Sequence, residues 1–141
     1  MTYEFIILAA AKAAKVSGTL LLAICTHESG LKNVYVPHDG GSPTYGICQV
    51  KLPTAQMMGF KGEAKDLMIP EINAKWAAIY LKYQIDRYDK NLCKATAAYN
   101  AGKFNKSKND PQIPRNLKYV RKIQSKIDKN FYHILACGDK K

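Results

Sequence analysis

The chain has 141 residues, 47% hydrophobic and 23% charged; this size and balance suit one domain over residues 1–141 and exclude both intrinsic disorder and a membrane-embedded class. No apolar run approaches the roughly 18 to 20 residues of a membrane span. The formal net charge of +11 raises the local concentration of polyanions, among which charge alone does not choose.

Helical periodicity dominates, so the expected fold class is mainly α. Tyr3 to Val16 reads as a first amphipathic helix, with Thr2 as cap and Ser17-Gly18 as stop. Its apolar run from Phe5 to Ala11 is preceded by Glu4 and followed by Lys12 and Lys15, a helix pattern and not a secretory signal. Leu20 to Ser29 forms the second helix, ended by Gly30. Leu31 to Tyr45, broken by Pro37, Asp39, Gly40, Gly41 and Pro43, is either a long ordered loop or a small irregular sheet, with a strand signal over Asn33 to Val36. A short helix from Pro53 to Met58 stops at Gly59.

Pro70 opens the longest helix, in which Ile72, Trp76, Ile79, Tyr80 and Tyr83 define an apolar face and Trp76 is assigned to the core. Asn91 to Ala101 is a small-residue helix, and residues 103–112 read as the most mobile connection. The last helix runs from Ile113 to about Lys129, burying Ile113, Leu117, Val120, Ile123 and Ile127. From Lys103 onward eleven Lys or Arg face only Asp110, Asp128 and Asp139, so residues 103–141 carry +8. That stretch is either a solvated face or an electrostatic anchor for anionic envelope polymers. No specific nucleic-acid partner is expected, and the chain is read as a monomer.

Cys25, Cys48, Cys93 and Cys137 form no C-x-x-C pair, and the histidines add no metal-ligand spacing, so no zinc site is expected. The even count permits two disulfides. Because Cys25 and Cys93 fall in helical patterns, where a thiol packs as a small apolar group, the expectation is reduced thiols.

Leu21, Ile24 and Cys25 share one face of the second helix, and Glu28 falls on that face one turn later. Desolvation and the negative end of the helix dipole would both raise its pKa, as a general acid requires. On these grounds alone a solvated glutamate is the commoner case. His27, turned about 100° around the helix, reads as a surface or supporting residue.

Four segments occur in order: Glu28-Ser29-Gly30; Ser42-Pro43-Thr44-Tyr45-Gly46-Ile47-Cys48-Gln49-Val50; Ala97-Ala98-Tyr99-Asn100-Ala101-Gly102; and Tyr119-Val120. Together they resemble the soluble lytic transglycosylase family, which shares its fold with goose-type lysozymes, over about Val16 to Val120. The resemblance implies a lysozyme-like single domain with a long central helix and a short irregular or β-like region. It implies Glu28 as the catalytic acid and then base, with Ser29 fixing the end of its helix. Gln49 would line the cleft and hydrogen-bond sugar substituents, with Ser42 and Tyr45 beside it. Tyr99 and Asn100 would face N-acetylated sugars, and Tyr119 would orient the Glu28 carboxyl. Ile47-Cys48 departs from the Leu-Met common in the family, and Trp76 stands where glycine is frequent.

The family's reaction cleaves the bond between N-acetylmuramic acid and N-acetylglucosamine in peptidoglycan glycan strands, leaves a 1,6-anhydro end and implies no metal or cofactor. The competing reading is hydrolysis, with Asp39 as a second carboxylate activating water. A second alternative is a non-catalytic binder of anionic polymers. The small size and the lack of a secretory signal resemble a phage-type member, made in the cytoplasm and delivered to the wall or periplasm by phage lysis, virion or secretion machinery.

Overall fold

Helix formation begins at Thr2, whose hydroxyl accepts a hydrogen bond from the Phe5 amide at 3.1 Å and caps α1 (Tyr3–Ala14). The computed structural model describes residues 2–127, Leu135 and Cys137, and the chain falls into two compact units, Met1–Tyr80 and Leu81–Lys141.

In the first unit, α1 ends before the expected Val16 because Lys15 turns left-handed (φ 62°) and its amide closes back on Ala11 and Lys12. Ser17 caps α2 (Gly18–Ser29) by accepting from the Leu20 amide at 3.1 Å. Ser17-Gly18 therefore starts the second helix instead of stopping the first. A Cβ on Gly18 would lie 2.9 Å from Leu8 Cδ2, so the glycine permits close approach of the two helices. Ile6, Ile7 and Ala11 of α1 are buried, as are Leu20, Leu21, Ala23, Ile24 and Cys25 of α2.

Between a loop and a sheet, the next segment forms a sheet. Strands β1 (Val34–Asp39) and β2 (Ser42–Gly46) pair antiparallel, in the register Val34↔Gly46, Tyr35↔Tyr45 and Val36↔Thr44, with a bulge before Asp39↔Ser42. Gly40 and Gly41, at φ 66° and 93°, supply the positive dihedrals that a two-residue hairpin tip requires. Then come α3 (Leu52–Met57), with Pro53 in its first turn, and a 3-10 helix over Ala64–Met68 held by a reciprocal Glu63–Asp66 cap. The 3-10 helix is too short to show an apolar period in the sequence.

Helix α4 (Pro70–Arg87) begins at its proline as expected, but its buried face is rotated from the large apolar residues. Asn73, Ala74, Ala77, Ala78, Tyr80, Leu81 and Gln84 are buried, whereas Ile72, Trp76 and Ile79 are half-buried and Tyr83 is exposed. Trp76 is thus peripheral to the core, edge-on to Phe60 at 5.6 Å between centroids.

In the second unit, the Asn91 side chain caps α5 (Leu92–Ala101) by accepting from the Lys94 amide at 3.0 Å. Helix α6 covers only Leu117–Gln124. The expected start at Ile113 fails because a residue before proline is driven out of the helical region. Ile113 and Pro114 instead close a loop: Lys106 bridges to Pro114, the Ser107 amide donates to Ile113 O at 2.8 Å, and the Arg115 amide donates to Asn105 O at 2.7 Å. Residues 103–112 are therefore well hydrogen-bonded, with Asp110 Oδ1 also accepting from the Gln112 amide at 2.8 Å. Val120, Ile123 and Ile127 are buried as expected; Lys129 lies outside the described residues. The described residues form a mainly helical protein with one two-stranded sheet, the expected fold class. No described helix is long and apolar enough to cross a membrane.

Candidate active site

Glu28 stands half-buried on the last turn of α2, one turn beyond the fully buried Ile24 and Cys25. Two ties hold this helix end to the turn after β2. A disulfide joins Cys25 to Cys48 with Cα atoms 4.2 Å apart, and Ser29 Oγ donates to the Ile47 carbonyl at 2.6 Å. A second disulfide joins Cys93 to Cys137. These bonds overturn the expectation of reduced thiols. A cysteine on a buried helix face is compatible with a disulfide when a packed loop brings its partner to that face, which a single helical pattern does not disclose.

The turn itself is built by Gly46, Gln49 and Asn73. Gly46 has φ 80°, and a Cβ there would meet Asn73 Nδ2 at 2.5 Å and Leu67 O at 2.8 Å. From the first turn of α4, the fully buried Asn73 carboxamide accepts from the Cys48 amide at 2.8 Å and donates to Tyr45 O at 2.6 Å and Leu67 O at 2.8 Å. Every polar group of that side chain is matched, as burial demands. Gln49, at φ 52°, donates to Val34 O at 3.0 Å and Gly46 O at 2.9 Å and accepts from Thr44 Oγ1 at 2.5 Å. Its amide thus locks β1 to the turn, and both of its N–H groups go to protein carbonyls.

Tyr45 lies half-buried directly across from Tyr35, with ring centroids 5.2 Å apart. Asp39 and Ser42 pair at the glycine tip of the hairpin, where Asp39 is exposed. The five residues of β2 span about 13 Å of strand at roughly 3.3 Å per step. Asp39 and Ser42 therefore sit at the opposite end of β2 from the Ser29–Ile47 tie.

The second unit brings Asn100 to the start of α6. Asn116 Nδ2 donates to Asn100 Oδ1 and to Ala97 O, each at 3.0 Å, and the Tyr119 amide bonds back to Asn116 O at 3.0 Å. Tyr99 and Tyr119 are half-buried, and Asn100 is exposed. Below them Gln84, fully buried on α4, donates to Ala98 O at 3.4 Å and Gly102 O at 3.3 Å. Arg87 adds a bond to Gly102 O at 2.9 Å. Asn73, Gln84 and Asn116 are supports that sequence reasoning missed. For the first two the available signal was an amide interrupting a stripe of buried small residues.

The sequence profile described as Transglycosylase SLT domain matches residues 5–120. Among solved structures, the chain is similar to an inactive glutamate-to-glutamine mutant of the lytic transglycosylase Slt from Pseudomonas aeruginosa. The two share 18% identity and a TM-score of 0.62 over 92% of this chain and 21% of that one. The chain thus spans about a fifth of that protein's length, and at this identity the likeness is one of fold.

Proposed function

The chain belongs to the transglycosylase SLT domain family, and from that membership we propose that it is a lytic transglycosylase acting on peptidoglycan glycan strands through Glu28. One observation carries the assignment of the residue: Glu28 stands on the last turn of the helix that both Cys25–Cys48 and Ser29–Ile47 fasten to the Gly46–Gln49 turn. A general acid needs such a fixed carboxyl, because proton transfer tolerates little positional error. Glu28 gives its proton to the oxygen bridging muramic acid and glucosamine as that bond breaks. It then takes the proton of the same muramic acid's 6-hydroxyl as that oxygen bonds to the anomeric carbon, which restores the acid and leaves a 1,6-anhydro end. Tyr45, Tyr99, Asn100 and Tyr119 are proposed to contact the sugars. Gln49 shapes the turn that follows β2.

Hydrolysis through Asp39 is disfavoured by its place at the far end of β2, since paired carboxyls in glycosidases stand about 5 to 9.5 Å apart. The two disulfides favour action outside a reducing cytoplasm, in keeping with delivery to the wall. Mass spectrometry of digested peptidoglycan tests the reaction: anhydro ends are expected, and products with only reducing ends would overturn it.

A further inference from the structure

Tyr35 is 51% exposed, although a tyrosine ring is among the largest apolar surfaces a chain can bury. It pairs with Tyr45 across the hairpin. The Tyr45 amide and carbonyl turn the other way, to Val50 (3.0 and 2.9 Å), so this is a non-hydrogen-bonded pair, in which side chains approach most closely. Val34 and Val36, alternating with Tyr35, are half-buried, and Thr44 and Gly46 opposite them are buried. The outward face of the hairpin therefore carries two aromatic rings where polar residues would satisfy the fold.

Cross-strand contact explains the pairing but not the open ring. The negative face of an aromatic ring complements polarised C–H groups, and a β-linked N-acetylhexose presents a C–H-rich face together with an acetyl methyl. The two phenol hydroxyls can donate to or accept from sugar hydroxyls. Tyr45 lies two residues before Ile47, at most about 7 Å of chain, and Ile47 is bonded to Ser29, the neighbour of Glu28.

We propose that the Tyr35–Tyr45 pair is a sugar-stacking subsite beside Glu28, with Tyr35 supplying the exposed ring for one N-acetylated residue of the strand. This rests on the reading of Glu28 as the catalytic acid. The probe is soluble glycan strands freed of stem peptides, titrated against Glu28→Gln protein with and without Tyr35→Thr, a β-branched replacement that suits the strand. Tyr35→Thr should weaken binding about tenfold and raise KM similarly in the active enzyme, with kcat within about threefold and thermal stability little changed; Tyr35→Phe should restore most of the affinity. Unchanged binding and KM in Tyr35→Thr would overturn the subsite and leave the catalytic reading intact. Loss of affinity in step with loss of stability would also overturn it, by making the ring structural. Lysis by Glu28→Gln would instead remove the catalytic reading itself.

Discussion

Cys25 is bonded to Cys48, so the helix bearing Glu28 is covalently joined, one turn before that residue, to the turn bearing Gln49. The loop closed spans 23 residues, for which chain entropy alone gives roughly 3 kcal/mol of stabilisation. Cys25→Ala/Cys48→Ala should therefore unfold at lower denaturant by about that free energy. Wild type treated with a dithiol reductant should move further, because it also loses Cys93–Cys137. Equal denaturation midpoints in all three samples would mean that neither bond constrains the unfolded chain.

Glu28→Gln is nearly isosteric and should keep the fold while reducing clearing of outer-membrane-permeabilised cells by at least about a hundredfold, the lower range for removal of a general acid or base. A non-catalytic binder of polyanions would clear cells equally well with either residue. Circular dichroism of the variant guards against the trivial outcome of unfolding.

Much of this architecture was legible because its causes are local. Thr2 caps its helix from the position expected, and Gly30 and Gly59 take the positive φ expected of stops. Ser17 caps the start of α2 instead of ending α1, since a serine before glycine carries the same local signal for either. What escaped the sequence depends on which element packs on which. The buried stripe of α4 follows from the close approach that Ala74, Ala77 and Ala78 permit, so the larger Ile72, Trp76 and Tyr83 lie to its sides. Asn73 looked like one polar residue among many until Tyr45, Cys48 and Leu67 were placed around it. The segment carrying Glu28 was visible as a pattern, but the disulfide and hydrogen bond that fasten it were not.

Gly46 and Asn73 occupy adjoining space, and each constrains the other. Gly46→Ala would force a side chain into left-handed backbone and against the Asn73 carboxamide, at a cost of roughly 2 to 4 kcal/mol. Asn73→Ala would leave the Cys48 amide without its partner and remove one bond each from Leu67 O and from Tyr45 O, which keeps the Val50 amide, about 1 to 3 kcal/mol for each group left unsatisfied where water does not reach. Because the second change vacates the space the first one needs, the double variant should cost less than the sum of the singles. Additive losses in chemical denaturation would show that the two residues act independently.

The basic end of the chain offers a test of the envelope-anchor reading. Lys118, Arg121 and Lys122 on α6 are exposed, with Arg115 before them and Lys126 after. The ion pairs Glu63–Lys65 and Lys82–Asp86 use none of these five side chains. An anchor of this kind acts through screened attraction, whose range falls from about 10 Å at 0.1 M salt to about 3 Å at 1 M. Co-sedimentation with isolated cell walls should therefore be weaker for Lys118→Gln/Arg121→Gln/Lys122→Gln than for wild type at low salt. The difference should close as salt approaches about 1 M. If wild type and the triple variant sediment alike at low salt, the positive charge serves solubility and not the substrate.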